Sequence, residues 1–197
     1  MTAPSMHPAW RPVLDLLAVA ELPEEARAAA GAGDDARAVV QRMVEAGHTA
    51  DAIAFVAHAL PKREGVWWAW ITARRAVGES PPQPVAHCLA ATEAWIAQPT
   101  DAHRRLAFAH AQAVGIGTPA GCAALAAFLC GESLAPPDVQ AVPPNEFDAA
   151  KAITGAIMLS GAADPAKMAE RLATALQQGL DVVEKIKLWP PAGGGAA

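Results

Sequence analysis

The residues best suited to binding chemistry lie in one stretch, Leu60–Arg75 (LPKREGVWWAWITARR). It holds half of the six tryptophans and, at its two ends, pairs of basic residues. An indole ring attracts a guanidinium group through a cation–π contact, and Trp and Arg together are typical of protein-binding hot spots. The stretch therefore predicts a surface for a protein partner or an anionic ligand.

The same stretch is predicted to form the central helix of an all-α domain, with Pro61 at its start because proline suits the first helical position. At about 100° per residue the helix carries two adjacent stripes. One stripe holds Arg63, Trp67, Trp70 and Arg74, and the other holds Glu64, Trp68, Ile71 and Arg75. One stripe could face a partner, or the indoles could fill the core while the arginines reach outward to solvent. The candidate binding residues are Arg63, Glu64, Trp67, Trp68, Trp70, Arg74, Arg75 and, near the C-terminus, Trp189.

Trp189 opens the tail WPPAGGGAA, in which an indole precedes two prolines and a glycine run. Such a tail is typical of a linear recognition element. Alternatively, Trp189 packs back on the helices and ends the last one.

Catalytic and metal-binding signatures are missing from the sequence. His103 and His110 share a helix face but lie two turns apart, roughly 10 Å along the axis, which is too far for one zinc ion. The chain has no HExxH, CxxC, GxGxxG, Walker or GxSxG motif. We therefore expect no catalytic residue, no resident metal and no cofactor.

Composition narrows the class of partner and the compartment. The net charge of −5 and the pI near 5.6 disfavour a general nucleic-acid binder. Three cysteines are too few for a disulfide framework, which favours a reducing compartment. The sequence shows no signal peptide and no apolar run of ~18 residues, so we expect a cytoplasmic protein without a membrane span.

The fold class is predicted to be all-α, because alanine is abundant and tyrosine is absent. Short interhelical turns predict irregular stacked helical hairpins, either a HEAT-like array or a bundle, of about eight to nine helices. Helix starts are predicted at Thr100 and at three cap-proline pairs, which are Ser80-Pro81, Thr118-Pro119 and Asp164-Pro165.

Segment boundaries follow from the proline and glycine clusters. We expect an N-terminal extension with short helices over residues 1–33 and a helical core over 34–131. A stiff, extended Pro-rich connector follows over 132–145. A C-terminal helical hairpin over 146–189 then packs on the core, and 190–197 form a flexible tail.

The motif formed by Leu60, Pro61, Lys62, Arg63, Glu64, Val66, Trp67 and Trp68 resembles the signature of an uncharacterised bacterial all-helical family. Gly65 departs from that pattern, because a helix-forming residue is expected there. The resemblance implies a cytoplasmic helical protein linked to gene clusters for contractile secretion machinery. It implies no catalytic residues.

Two functions remain open at this level. The first is a non-catalytic adaptor that binds another protein through the tryptophan helix, with a homodimer through the last helix as a compatible variant. The second is a ligand-binding or enzymatic bundle with a pocket lined by Trp67, Trp68, Arg63 and Arg74. An exposed apolar patch would favour the first, and a deep cavity with a buried charge would favour the second.

Overall fold

Helices make up all the regular secondary structure in the described part of the chain. The computed structural model describes residues 9–31 and 35–189. These ranges contain ten α-helices and one 3-10 turn, where the sequence predicted eight to nine helices. The described helices pack in a stacked arrangement, so the all-α prediction is confirmed, while the narrower HEAT-like description stays a prediction.

The chain divides into two compact units, and the first combines residues up to 61 with the C-terminal residues from 176. Here α2 packs on α3, α3 packs on α4, and α1 packs on α4. The four helices are short because prolines or glycines punctuate this part of the sequence. They are α1 (Val13–Val19), α2 (Glu24–Ala30), α3 (Ala36–Glu45) and α4 (Thr49–Ala59).

The second unit spans Lys62–Ala175. A 3-10 turn at Pro165–Lys167 precedes the last helix, which contributes residues to both units. The unit limits differ from the segments expected from the sequence, and those segments stay predictions. The helices are α5 (Lys62–Val77), α6 (Gln83–Ala97), α7 (Asp101–Val114), α8 (Pro119–Phe128), α9 (Asp148–Ala162) and α10 (Met168–Lys185).

Helix α8, and not α5, lies at the centre of the second unit. It packs against α5, α6, α7 and α9, and all but two of its residues are buried. Its sequence, PAGCAALAAF, is composed largely of alanine, and such small side chains let neighbouring helices approach closely. The expectation that the tryptophan helix is central was therefore wrong, although α5 does pack against α6, α8 and α9.

The predicted helix caps are confirmed at two positions. The hydroxyl oxygens of Thr100 and Thr118 accept backbone N–H bonds from His103 and Gly121, at 3.2 and 3.1 Å. The prediction at Ser80-Pro81 was wrong, because α6 begins two residues later at Gln83. A proline disfavours helical backbone angles in the residue before it. Pro82 therefore keeps Pro81 out of the helix.

The third predicted cap, Asp164-Pro165, leads into the 3-10 turn without a side-chain cap bond. Residues 1–8 and 32–34 of the predicted N-terminal extension and its flanking turn, and the predicted tail at 190–197, lie outside the described residues. None of the described helices has both the length and the apolar character that a bilayer crossing requires.

The Pro-rich segment 132–145 is a closed loop and not an extended connector. The backbone N–H of Leu134 donates to the carbonyl oxygen of Val142 at 2.7 Å, so the two ends of the loop meet. The hydroxyl oxygen of Ser133 accepts from the N–H groups of Ala135 and Val142, at 3.1 and 3.0 Å. The Pro-Pro pairs stiffen the chain locally, and these bonds decide where it turns back.

Candidate functional site

Helix α5 carries all but one of the predicted binding residues, and these residues differ in how much of each side chain is exposed. Trp68 is fully buried and Trp70 is 6% exposed, whereas Trp67 is 39% exposed. Arg63, Arg74 and Arg75 are exposed, and Glu64 is half-buried. The predicted stripe of Arg63, Trp67, Trp70 and Arg74 therefore breaks at Trp70, whose direction differs from that of Trp67 by about 60° around the axis.

The two buried indoles are core residues with satisfied polar groups. The indole nitrogen of Trp68 donates to the carbonyl oxygen of Ala175 at 2.7 Å, and that of Trp70 donates to Leu89 O at 2.9 Å. A buried Trp needs such a partner because an unpaired N–H in the interior costs free energy. These two contacts fix the rotation of α5 and leave Trp67 at the surface.

Both exposed arginines beside Trp67 are held by contacts within the second unit. Arg63 donates from Nε to the carbonyl oxygen of Ile96 at 2.6 Å, at the end of α6. Carbonyls at a helix C-terminus have no partner within the helix, and a cation there also complements the helix dipole. The guanidinium carbon of Arg74 lies 5.4 Å from the ring centroid of Trp70. We call Arg63, Trp67 and Arg74 the Trp67 surface.

The pocket hypothesis loses Trp68 as a lining residue, because that side chain has no exposed surface. With Arg63, Trp67 and Arg74 alone, a ligand pocket stays a prediction. The homodimer through the last helix also stays a prediction. The apolar side of α10 is already buried within the chain, at Leu172, Ala175, Leu176, Val182 and Val183.

Trp189 is buried in the first unit. Its ring centroid lies 6.4 Å from that of Phe55, and the guanidinium carbon of Arg37 lies 5.8 Å from the indole. Arg37 also forms an ion pair with Glu184 at 2.6 Å. These contacts favour the alternative in which Trp189 packs back on the helices, while the residues after it lie outside the described range.

The sequence analysis missed a buried arginine that organises the Pro-rich loop. Arg104 of α7 is 3% exposed. It donates to the carbonyl oxygen of Phe128 at 3.1 Å and to that of Ser133 at 2.6 Å, and it pairs with Asp101. Its neighbour Arg105 pairs with Asp101 as well and donates to Ala135 O at 2.7 Å. Two adjacent arginines thus hold the end of α8 and the start of the loop.

The charge of Asp101 is stabilised by the same two arginines. The hydrogen bond from Arg105, followed by contacts with Arg104, lowers the pKa of the Asp101 carboxyl below its ordinary value of 3.8. The spacing of an Asp with Arg three and four residues later is the one signal in the sequence for this cluster. The loop carbonyls that complete it lie about 30 residues away in the chain, as the hydrogen bonds show.

The surroundings of the three cysteines disfavour the charged thiolate form in the folded state. Cys88 and Cys122 are buried and Cys130 is half-buried. Burial raises the pKa of the Cys88 thiol to about 11 and that of Cys130 to about 12, and it raises the pKa of Cys122 as well. The thiolate is the reactive form of cysteine, and a raised pKa leaves almost none of it at neutral pH.

We expect a thiol reagent at neutral pH to modify the native protein only slowly. In denaturant all three cysteines should react at the rate of a free thiol, because burial no longer disfavours the thiolate. Counting modified thiols by mass spectrometry over time measures both rates. Rapid modification of any one cysteine in the native protein would show that its burial is wrong.

Within the described ranges, the side chains of His, Cys, Asp and Glu form no group of three suited to hold a metal ion. A resident structural zinc, which takes four protein ligands, therefore has no support in these residues.

The fold and the site define an all-helical protein with stacked helices, whose helix α5 carries two anchored core indoles and one surface indole. The chain belongs to a family of unknown function (DUF6931), whose model matches residues 39–183, more than half of the chain. This finding confirms the expectation of an uncharacterised family, while the LPKRExVWW motif and the link to secretion gene clusters stay predictions. No curated protein and no solved structure matches the chain.

Proposed function

We propose that this chain is a non-catalytic protein–protein interaction module, an adaptor, that binds its partner through the Trp67 surface. The exposed indole of Trp67, with 39% of its surface open, carries the proposal. Tryptophan flanked by arginine is the typical composition of a binding hot spot, and this combination sets Trp67 apart from the other exposed apolar side chains.

The surface is held rigid before binding, which lowers the entropy lost on association. Trp68 and Trp70 anchor the helix beneath it through their indole hydrogen bonds, and Arg63 is fastened to the end of α6. A partner would therefore meet helix α5 in a fixed orientation, with Trp67 exposed between Arg63 and Arg74 along the helix.

The charges indicate the chemistry of that partner. Helix α5 bears Lys62, Arg63, Arg74 and Arg75 against the single acid Glu64, although the whole chain is acidic. Complementary charges steer association and fix orientation. We propose a protein partner that offers an apolar pocket for Trp67 with acidic groups at its rim.

The resemblance of residues 60–68 extends the proposal to a location. On that basis the module belongs in the bacterial cytoplasm, as an accessory of a contractile secretion machine. A partner that is a component of such a machine would support this extension, and any other partner would contradict it without affecting the adaptor proposal.

The test is affinity capture of the tagged full chain from its native cell extract, followed by titration of the purified partner. Four chains are compared, namely the natural sequence, Trp67→Ala, Arg74→Glu and the control Leu106→Ala. Leu106 is 49% exposed on α7, so its variant tests the loss of an exposed apolar side chain elsewhere. Circular dichroism establishes that all three variants are folded.

We expect a stoichiometric partner that Leu106→Ala retains and that Trp67→Ala binds with an affinity lower by ~2 kcal/mol or more, roughly thirtyfold. Arg74→Glu should weaken binding mainly through a slower association rate, because it reverses a rim charge. Equal affinities of Trp67→Ala and Leu106→Ala, or no stoichiometric partner for the natural chain, would contradict the proposal.

A further inference from the structure

Two histidines from neighbouring helices meet on the α6–α7 hairpin. The ring centroids of His87 and His110 lie 6.0 Å apart, with an interplanar angle of 66°. His87 is exposed and His110 is half-buried, so solvent reaches the pair. Both lie at nearly the same distance in sequence from the turn at 98–100, which places them at the same level of the hairpin.

The other three described histidines each have a ring nitrogen in a polar contact with a neighbouring group. Nδ1 of His48 contacts Asp51, that of His58 contacts Ala54 O, and that of His103 contacts Gln98 O, at 3.2, 2.8 and 2.9 Å. A bond of this kind fixes the tautomer and occupies one nitrogen.

Neither ring of the His87–His110 pair has a hydrogen-bond partner within the described part of the chain. Among the described histidines, the two that touch are thus the two whose ring nitrogens have no hydrogen-bond partner.

We infer that His87 and His110 together bind a divalent transition-metal ion that bridges α6 and α7. Neutral imidazole is a preferred ligand of nickel, copper and zinc. Two imidazoles on one ion, each with a nitrogen–metal distance of ~2.0–2.1 Å, place their ring centres roughly 4.5–5 Å apart at the usual angles of about 90–110°, so the two rings need to approach by about 1 Å to share an ion.

Water completes the coordination of this ion, because no third metal-ligating side chain joins the pair within the described residues. The site is therefore weaker than a four-ligand structural zinc site and follows the general order of affinities, with copper above nickel and zinc. A bound ion also links two helices of the folded state, so it raises the melting temperature by mass action.

The test uses NiCl2 with the full chain in a non-coordinating buffer at slightly alkaline pH, followed by calorimetry. His87→Gln and His110→Gln each remove one ligand and keep a side chain of similar size. His103→Gln is the matched control on α7, because its Nδ1 is already engaged by Gln98 O. His7→Gln is a second control, since His7 lies outside the described residues.

We expect one nickel ion per chain, with an affinity that falls by roughly tenfold to a hundredfold or more in each ligand variant. Both controls should bind as the natural chain does, and EDTA should reverse the nickel-induced rise in melting temperature. An equal loss in His103→Gln or His7→Gln, or no binding by the natural chain, would overturn the inference.

A measurement on the natural chain alone covers the case of a variant that fails to fold. Cobalt(II) is paramagnetic, so NMR should show its strongest effects on the ring protons of His87 and His110. Equal effects on all histidine rings would equally overturn the inference.

Discussion

Replacing Trp68 with alanine should lower the free energy of unfolding by ~3–5 kcal/mol. The side chain is fully buried, so the change removes a large apolar surface and leaves a cavity that neighbours fill only in part. It also leaves the carbonyl oxygen of Ala175 without the indole N–H that it accepts at 2.7 Å. Urea denaturation followed by far-UV circular dichroism measures the difference.

The matched control is Trp67→Ala, one residue earlier on the same helix. Because 39% of the Trp67 surface is exposed, Trp67→Ala should lower the free energy of unfolding by less than ~1 kcal/mol. Trp68→Phe keeps most of the volume and removes the N–H donor, so it should cost ~1–3 kcal/mol. Similar losses for Trp67→Ala and Trp68→Ala would show that the rotation of α5 described above is wrong.

Replacing Gly131 with alanine should lower the free energy of unfolding by ~2–4 kcal/mol. A Cβ atom at Gly131 would lie 2.1 Å from Nε of Arg104 and 2.2 Å from Cζ. Moving that guanidinium group is costly because it is buried and bonded to the carbonyl oxygens of Phe128 and Ser133. Chemical denaturation gives the magnitude, and amide exchange at Leu134 and Val142 should speed up as the loop loosens.

A double-mutant cycle separates this steric conflict from a general effect of alanine. In an Arg104→Ala background the conflict is gone, so Gly131→Ala should change stability by less than ~1 kcal/mol, of either sign. Gly117→Ala is the second control, since no atom lies within 4 Å of a Cβ there. Additive losses from Gly131→Ala and Arg104→Ala would mean that Arg104 does not occupy the space beside Gly131.

If both predictions hold, the two results describe a scaffold that keeps the Trp67 surface and the Pro-rich loop in fixed positions. Trp68 holds α5 so that Trp67 faces solvent, and Arg104 holds the loop against α7 and α8. Each is a core residue and neither is part of the proposed interface. Their variants should therefore lose partner binding only to the extent that they unfold.

The all-α class and several helix starts were available from the sequence because their physical causes are local. Thr100 and Thr118 each cap a helix through a bond to a backbone N–H three residues ahead. Proline at the first helical position and glycine in the turns act over the same short range. Even the wrong helix start predicted at Ser80-Pro81 has a local cause, because Pro82 follows Pro81 directly.

The exposure of each indole on α5 was decided by tertiary structure alone. Apolar residues surround almost the whole middle of that helix, so its periodicity does not say which of Trp67, Trp68 and Trp70 points outward. The carbonyls of Leu89 and Ala175, which lie far away in sequence, settle it by accepting the two indole N–H groups.

Tertiary structure also decided the contacts of Arg104, His87 and His110, which the sequence did not reveal. Arg104 acquires its role from carbonyls in another helix and in the loop, and His110 meets His87 and not His103. Local signals act over three or four residues along the chain, whereas these contacts join residues more than twenty positions apart. The sequence alone therefore determined which segments form helices, and only the packing of those helices decided which side chains meet and which face solvent.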